Sequence, residues 1–146
     1  MEEVEKIIDE ILEKGFLMSL ATVDESGPWV SEVVYVHGGE FEIYWWSLEN
    51  TRHSQAIGKN QKVAAVITLT HSQGQEDMGL QLEGVAREAS GDFEEIIKKH
   101  AIKRKKPVPE KEEVGMTHGK WYKFTPSKID VVYEPMWGWN KKEWRR

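Results

Sequence analysis

The chain has 146 residues, a length that suits one domain with its own core and leaves little room for a second. A formal net charge of −5 sets its overall field against a polyphosphate backbone, so nucleic acid is not expected as a partner. With no cysteine, the chain excludes disulfides, thiolate nucleophiles and cysteine-bound zinc or iron–sulfur centres; no apolar run approaches a membrane span, and an opening rich in Glu2, Glu3 and Glu5 predicts a cytoplasmic protein without a leader or membrane partner.

Residues 2–14 place Val4, Ile7, Ile8, Ile11 and Leu12 at helical spacing, with acids in the first turn and Lys14 in the last. That spacing predicts an amphipathic helix in need of a partner surface, ended by a left-handed cap at Gly15. Phe16 to Val23 reads as a largely buried strand, closed by the turn Asp24-Glu25-Ser26-Gly27. Proline has no N–H to give to a ladder, so Pro28 belongs at the start of the next strand or on an edge. Trp29 to Val36 forms that strand, and His37-Gly38-Gly39 connects it tightly to a third, Glu40 to Ser47. Glu49-Asn50-Thr51 then offers helix-starting side chains for a short helix reaching about Gly58.

Val63 to Thr70 returns to β-branched residues and predicts a fourth strand. His71 to Gly79 is a polar loop, and Leu80 to Ala89 alternates as a fifth strand. From Asp92 the pattern is helical until it gives way to a Lys/Pro/Glu-rich stretch at 103–113. A last strand runs from Lys120 to Phe124 and past a bulge at Pro126 to Val132, while Met136-Trp137-Gly138-Trp139 has no pattern of regular structure. Antiparallel strands with one short helix in the meander and helices at the margins predict a mainly β, single-domain protein over residues 1–146, built as a closed or nearly closed barrel.

The segment best suited to chemistry is Trp45-Trp46-Ser47-Leu48-Glu49-Asn50-Thr51-Arg52-His53-Ser54. A strand ends there in two indoles and a hydroxyl, and a helix begins with a hydroxyl, a guanidinium and an imidazole. The first turn of a helix presents unpaired amides at the positive end of its dipole, so an anion is stabilised there. Arg52 adds a two-pronged contact, and Ser47 or Thr51 add donors, which makes a phosphate seat. The same residues also suit an ordinary helix start, in which Thr51 caps while Arg52 and His53 face water.

The order of these pieces resembles the FMN-binding split-barrel family of pyridoxamine-phosphate-oxidase-like proteins. The resemblance is carried over residues 16–90 by Ser19-Leu20-Ala21-Thr22, the Gly27-Pro28 turn, Thr51-Arg52-His53 and Glu83-Gly84-Val85-Ala86; the run from Glu49 to Gln55 is similar to a small bacterial and archaeal branch. It implies a six-stranded antiparallel split barrel, homodimeric, with FMN in a cleft between subunits. The phosphate is then held by Ser47, Thr51, Arg52 and His53, next to Trp46. The ring lies along Trp29-Val30-Ser31-Glu32, and the strand around Gln81 faces it from the other subunit. Many members of the family have lysine where this chain has His53, which implies weaker, pH-dependent phosphate binding. The bulky Trp29, Trp45 and Trp46 either crowd the ring or stack on it.

Five histidines show no metal-ligand spacing, so no metal is expected. His71 and His118 are the outside candidates for haem ligation. Glu32 and Glu83 lie in strands, where a glutamate ordinarily faces solvent or a base across the sheet, and no nucleophile–base arrangement is visible. The basic run from Lys98 to Lys106 is flanked by acids and reads as a solvated face. Trp137, Trp139 and Trp144 either pack onto a partner subunit, the favoured reading, or roof the flavin. The expected function is FMN binding, with flavin-mediated oxidoreduction of a small molecule. The alternatives are a non-catalytic module for FMN or haem, and a structural homodimer with an empty cleft.

Overall fold

In the computed structural model, which describes residues 2–110 and 119–146, every strand of the described chain joins one antiparallel sheet. The strands are β1 (Leu17–Asp24), β2 (Gly27–His37), β3 (Ile43–Leu48), β4 (Lys62–Thr68), β5 (Met78–Glu88), β6 (Gly119–Tyr133) and β7 (Lys142–Arg145). Their order is β3-β2-β1-β4-β5-β6-β7, and a further pairing of β3 with β6 closes the first six into a barrel. The expected mainly β barrel of six strands is therefore present, with a seventh strand added.

That seventh strand depends on the length of β6. One edge of β6 pairs with β5 from Tyr122 to Tyr133; the other pairs with β3 from Gly119 to Phe124 and then with β7 from Lys128 to Val131. The tail, read from sequence as irregular, thus folds as a short helix α4 (Glu134–Trp137) followed by β7. Sequence could not signal this, because four residues alternating Lys-Glu-Trp-Arg become a strand only when β6 offers an unpaired edge.

Alternate residues of the barrel strands point inward. Met18, Leu20, Val33, Tyr35, Ile43, Trp45, Ala65, Ile67, Leu80, Leu82 and Phe124 are buried in one core. Helix α1 (Glu2–Lys14) adds Ile7, Ile8, Ile11 and Leu12 to it, each burial contributing about 1.5–3 kcal/mol. Helix α2 (Arg52–Lys59) adds Ile57, and α3 (Glu94–Lys103) packs on β2.

Gly15 has a reason other than the one expected. Gly15 ends α1 but does not enter the left-handed region; a side chain there would lie 2.9 Å from Ile67 Cγ2 and closer still to the Tyr35 hydroxyl, which donates to the Leu12 carbonyl at 2.8 Å. The hydroxyl, rather than the glycine's φ, satisfies the helix end. Gly58 lies inside α2, which continues to Lys59.

Gly84 faces the β6 bulge. The register steps from Glu83↔Lys128 to Gly84↔Pro126, and a Cβ on Gly84 would lie 2.8 Å from Pro126 Cα.

The third strand starts at Ile43, later than expected, because Gly39–Phe41 forms a tight 3-10 turn. Glu40 and Phe41 have φ of 55° and 61°, costing about 1 kcal/mol or more each. The carboxyl-terminal residues hold this turn: Trp144 meets the Phe41 ring edge-on at 5.1 Å, and Arg146 donates to the Glu40 carbonyl at 2.7 Å.

The basic run is not wholly solvated. Lys99 donates to the His37 carbonyl at 2.6 Å and Lys103 to the Tyr35 carbonyl at 3.0 Å, so both stems lie along the protein and their ammonium groups bond to β2 carbonyls. Burial lowers the Lys103 pKa to about 8.

Candidate functional site

Ser47 is the third inward residue of β3, after Ile43 and Trp45, and the chain then turns into α2. Thr51 caps the helix in extended geometry, its hydroxyl oxygen accepting from the Ser54 amide at 3.2 Å. His53 points back under that cap, with Nε2 2.8 Å from Ser47 Oγ and 3.3 Å from Thr51 Oγ1. Burial lowers its pKa, so the ring is neutral at neutral pH.

Arg52 points the other way. Its Nε donates to Asp24 Oδ2 at 2.8 Å and its Nη2 to Asp24 Oδ1 at 3.1 Å, while the guanidinium lies 4.5 Å above the Trp29 ring. The pair holds the Asp24 carboxyl below the usual carboxylate range. Ser47, Thr51, Arg52, His53 and Trp29 therefore meet at one corner, joined by Asp24. The sequence reading gave Asp24 only a turn role, since nothing local links residues 24 and 52.

The register divides the remaining candidates by face. Ser31 pairs with buried Leu20 and lies on the inner side with Trp29, whereas Val30 and Glu32 lie on the outer face. There Glu32 accepts from Ser19 at 2.7 Å, and Gln81 lies in the same row, through Ser19↔Val66 and Val66↔Gln81. Lys141 donates to Gln81 Oε1 at 2.8 Å. Trp46 alternates with Ser47, so it faces away from the corner and lies against Gly119. Trp45 is fully buried, stacked on Tyr122 at 5.7 Å, and so neither crowds nor stacks on anything outside the core.

The outer face carries a groove of about 340 Å³, lined by Ser19, Ala21, Val30, Ala64, Val66 and Gln81 among others. Small side chains form its floor, and exposed aliphatics stand around it: Val30 is 63% exposed, with Leu17, Val23 and Val66 near half. Of the carboxyl-terminal tryptophans, Trp144 is buried in its own chain, where Nε1 donates to Glu5, and Trp137 packs on Tyr133; Trp139 is 89% exposed. His71 lies exposed in the β4–β5 loop, and His118 lies outside the described residues.

A six-stranded closure with this order can be compared directly with solved structures. Superposition gives a TM-score of 0.68 with a putative pyridoxamine 5'-phosphate oxidase from Listeria innocua, at 19% identity over 88% of this chain and 98% of that one. The fold is the pyridoxamine 5'-phosphate oxidase-like split barrel. The same split barrel matches General Stress Protein 26 from Bacillus anthracis, with a TM-score of 0.69 at 15% identity over 99% of both chains. It also matches HutZ, a heme storage protein from Vibrio cholerae, with a TM-score of 0.70 at 19% identity over 87% of this chain and 93% of that one. Compared by sequence, the chain matches no family model and no curated protein. At these identities the likeness establishes the split-barrel fold alone.

The corner fits a phosphorylated flat ligand in part. Hydroxyls, the leading amides of α2 and the unused N–H groups of Arg52 suit a phosphate, and half-exposed Trp29 suits a ring. Against these, Asp24 already neutralises Arg52, and His53 brings no charge.

Proposed function

We propose that the chain is a homodimeric FMN-binding protein of the cytoplasm, with the cofactor phosphate at the β3–α2 corner and the ring between the outer faces of two subunits. The observation that carries the reading is the Arg52 guanidinium, 4.5 Å from the centre of the Trp29 ring and beside the amino terminus of α2. An anion site and an aromatic platform there adjoin a sheet face left uncovered. Thr51, Arg52 and the leading α2 amides hold the phosphate; Ser47 fixes the His53 ring beneath them. Val30 and Glu32 from one subunit and Gln81 from the other border the ring, with Ser31 on the inner side of the same strand and Trp46 behind the corner. FMN, when bound, supplies hydride or electron transfer to a small molecule, and the chain's part is to bind, orient and shield it.

Titrating the purified protein with FMN and with riboflavin tests the seat. Arg52→Ala is expected to weaken FMN by about 10- to 100-fold, the worth of a hydrogen bond to a charged group, and to leave riboflavin nearly unchanged. Equal loss for both ligands would place the phosphate elsewhere.

A second reading, a haem-binding module, is favoured by the likeness in fold to HutZ, a heme storage protein. It predicts a Soret band on adding haemin and no uptake of either flavin.

A further inference from the structure

Asp24 ends β1, and its Oδ1 accepts from the Ser26 amide at 2.8 Å across the β1–β2 turn. The turn therefore fixes the carboxylate independently of α2. Arg52 reaches it from 28 residues away with two parallel N–H bonds, the geometry with which a guanidinium grips a carboxylate or a phosphate. The Trp29 ring lies 4.5 Å from the guanidinium carbon and packs against it. Arg52 thus already holds an anion, and the anion belongs to the protein.

The charges around this pair make that contact consequential. His53 is neutral at neutral pH, and Lys59 is the other cation whose field reaches Asp24. A phosphate arriving at the corner meets an Arg–Asp pair with no net charge. It must take Arg52 from Asp24 or share it beside a like charge. A phosphomonoester carries up to two negative charges against the carboxylate's one, so displacement is feasible and its extent depends on the ligand's charge.

We infer that Asp24 is the specificity-determining residue of the corner: an internal carboxylate that competes with the ligand's phosphate for Arg52 and sets how strongly the site prefers a phosphorylated ligand to its unphosphorylated counterpart. This rests on the FMN reading above. Removing the negative charge while keeping an acceptor for the Ser26 amide releases Arg52 to the ligand. Because Asp24 contacts Arg52 and not the ring, the effect belongs to the phosphate alone.

The experiment compares the native chain with Asp24→Asn, and with Asp24→Ser as a second variant that also keeps an oxygen for the turn, by titration with FMN and riboflavin. Circular dichroism and thermal unfolding check that each variant is folded. Asp24→Asn is expected to tighten FMN by about tenfold, leave riboflavin unchanged and make inorganic phosphate a better competitor of FMN. In an Arg52→Ala background the same substitution is expected to tighten FMN by much less, since no guanidinium remains to be released and only the carboxylate's repulsion of the phosphate is lost. FMN affinity that stays the same or falls in Asp24→Asn, with riboflavin unaffected, overturns the inference and leaves FMN binding standing. If neither the native chain nor a variant takes up either flavin, the FMN reading fails and the inference falls with it.

Discussion

His100 lies on the inward side of α3, edge-on to Trp121 at 4.9 Å, with its ring bonded to the Val34 backbone. Burial, helped by Arg104 and Lys103, lowers its pKa from 6.5 to about 4. The folded state therefore binds this proton less readily than the unfolded state does. The stability this provides is complete above pH 6.5 and is lost as the pH falls from there through about 4. Burial also lowers the pKa of His37 and His53, so all three push in the same direction. Urea unfolding at pH 7.5 and pH 5 is expected to show native stability falling on acidification. His100→Phe, which keeps the edge-on contact and cannot titrate, should reduce that fall by about 2 kcal/mol. An unchanged pH dependence would mean that the imidazole stays hydrated.

Among the elements, β7 depends most on others. Its four residues bring one large buried side chain, Trp144, which touches Phe41, donates to Glu5 on α1 and lies under the Arg146 guanidinium at 5.3 Å. This contact joins the carboxyl terminus to the first helix and to the strained β2–β3 turn. Trp144→Ala is expected to cost about 3–5 kcal/mol in chemical denaturation and to raise hydrogen exchange in residues 142–145 and 39–41 together. Faster exchange in β7 alone would show that the turn holds itself. Trp139, by contrast, has little surface to lose within its own chain.

At the scale of the molecule, the outer face of β1, β2 and β4 carries Leu17, Val23, Val30 and Val66, all exposed. An aliphatic face with a floor of alanine and serine suits a second, identical face across a two-fold axis, where each side chain is used twice. Sedimentation is expected to show a dimer for the native chain and a monomer for Val66→Arg, with FMN uptake lost in the monomer. A monomeric native chain would remove the shared cleft. Among the described residues no helix is long and apolar enough to cross a membrane.

Local pattern was enough to identify most of the barrel. Apolar and β-branched runs bounded by turn residues, with alternation in the fifth, located the strands from β1 to β6; helical spacing found α1 and the Ile7, Ile8, Ile11 and Leu12 face it buries, and Pro126 marked the bulge that Gly84 accommodates. These features are legible because each depends on residues close in sequence. The cap at Thr51 and the gathering of Ser47, Thr51 and His53 were legible for the same reason: all lie within one strand end and one helix start. β7, the reason for Gly15, the inward lysines of α3 and the Asp24–Arg52 pair were not, since each needs a surface supplied by a distant part of the chain. The sequence by itself determined the first six strands and the chemistry at the head of α2. Only the tertiary structure decided that Arg52 is already held by a carboxylate, because closing the barrel is what brings the end of β1 to that helix.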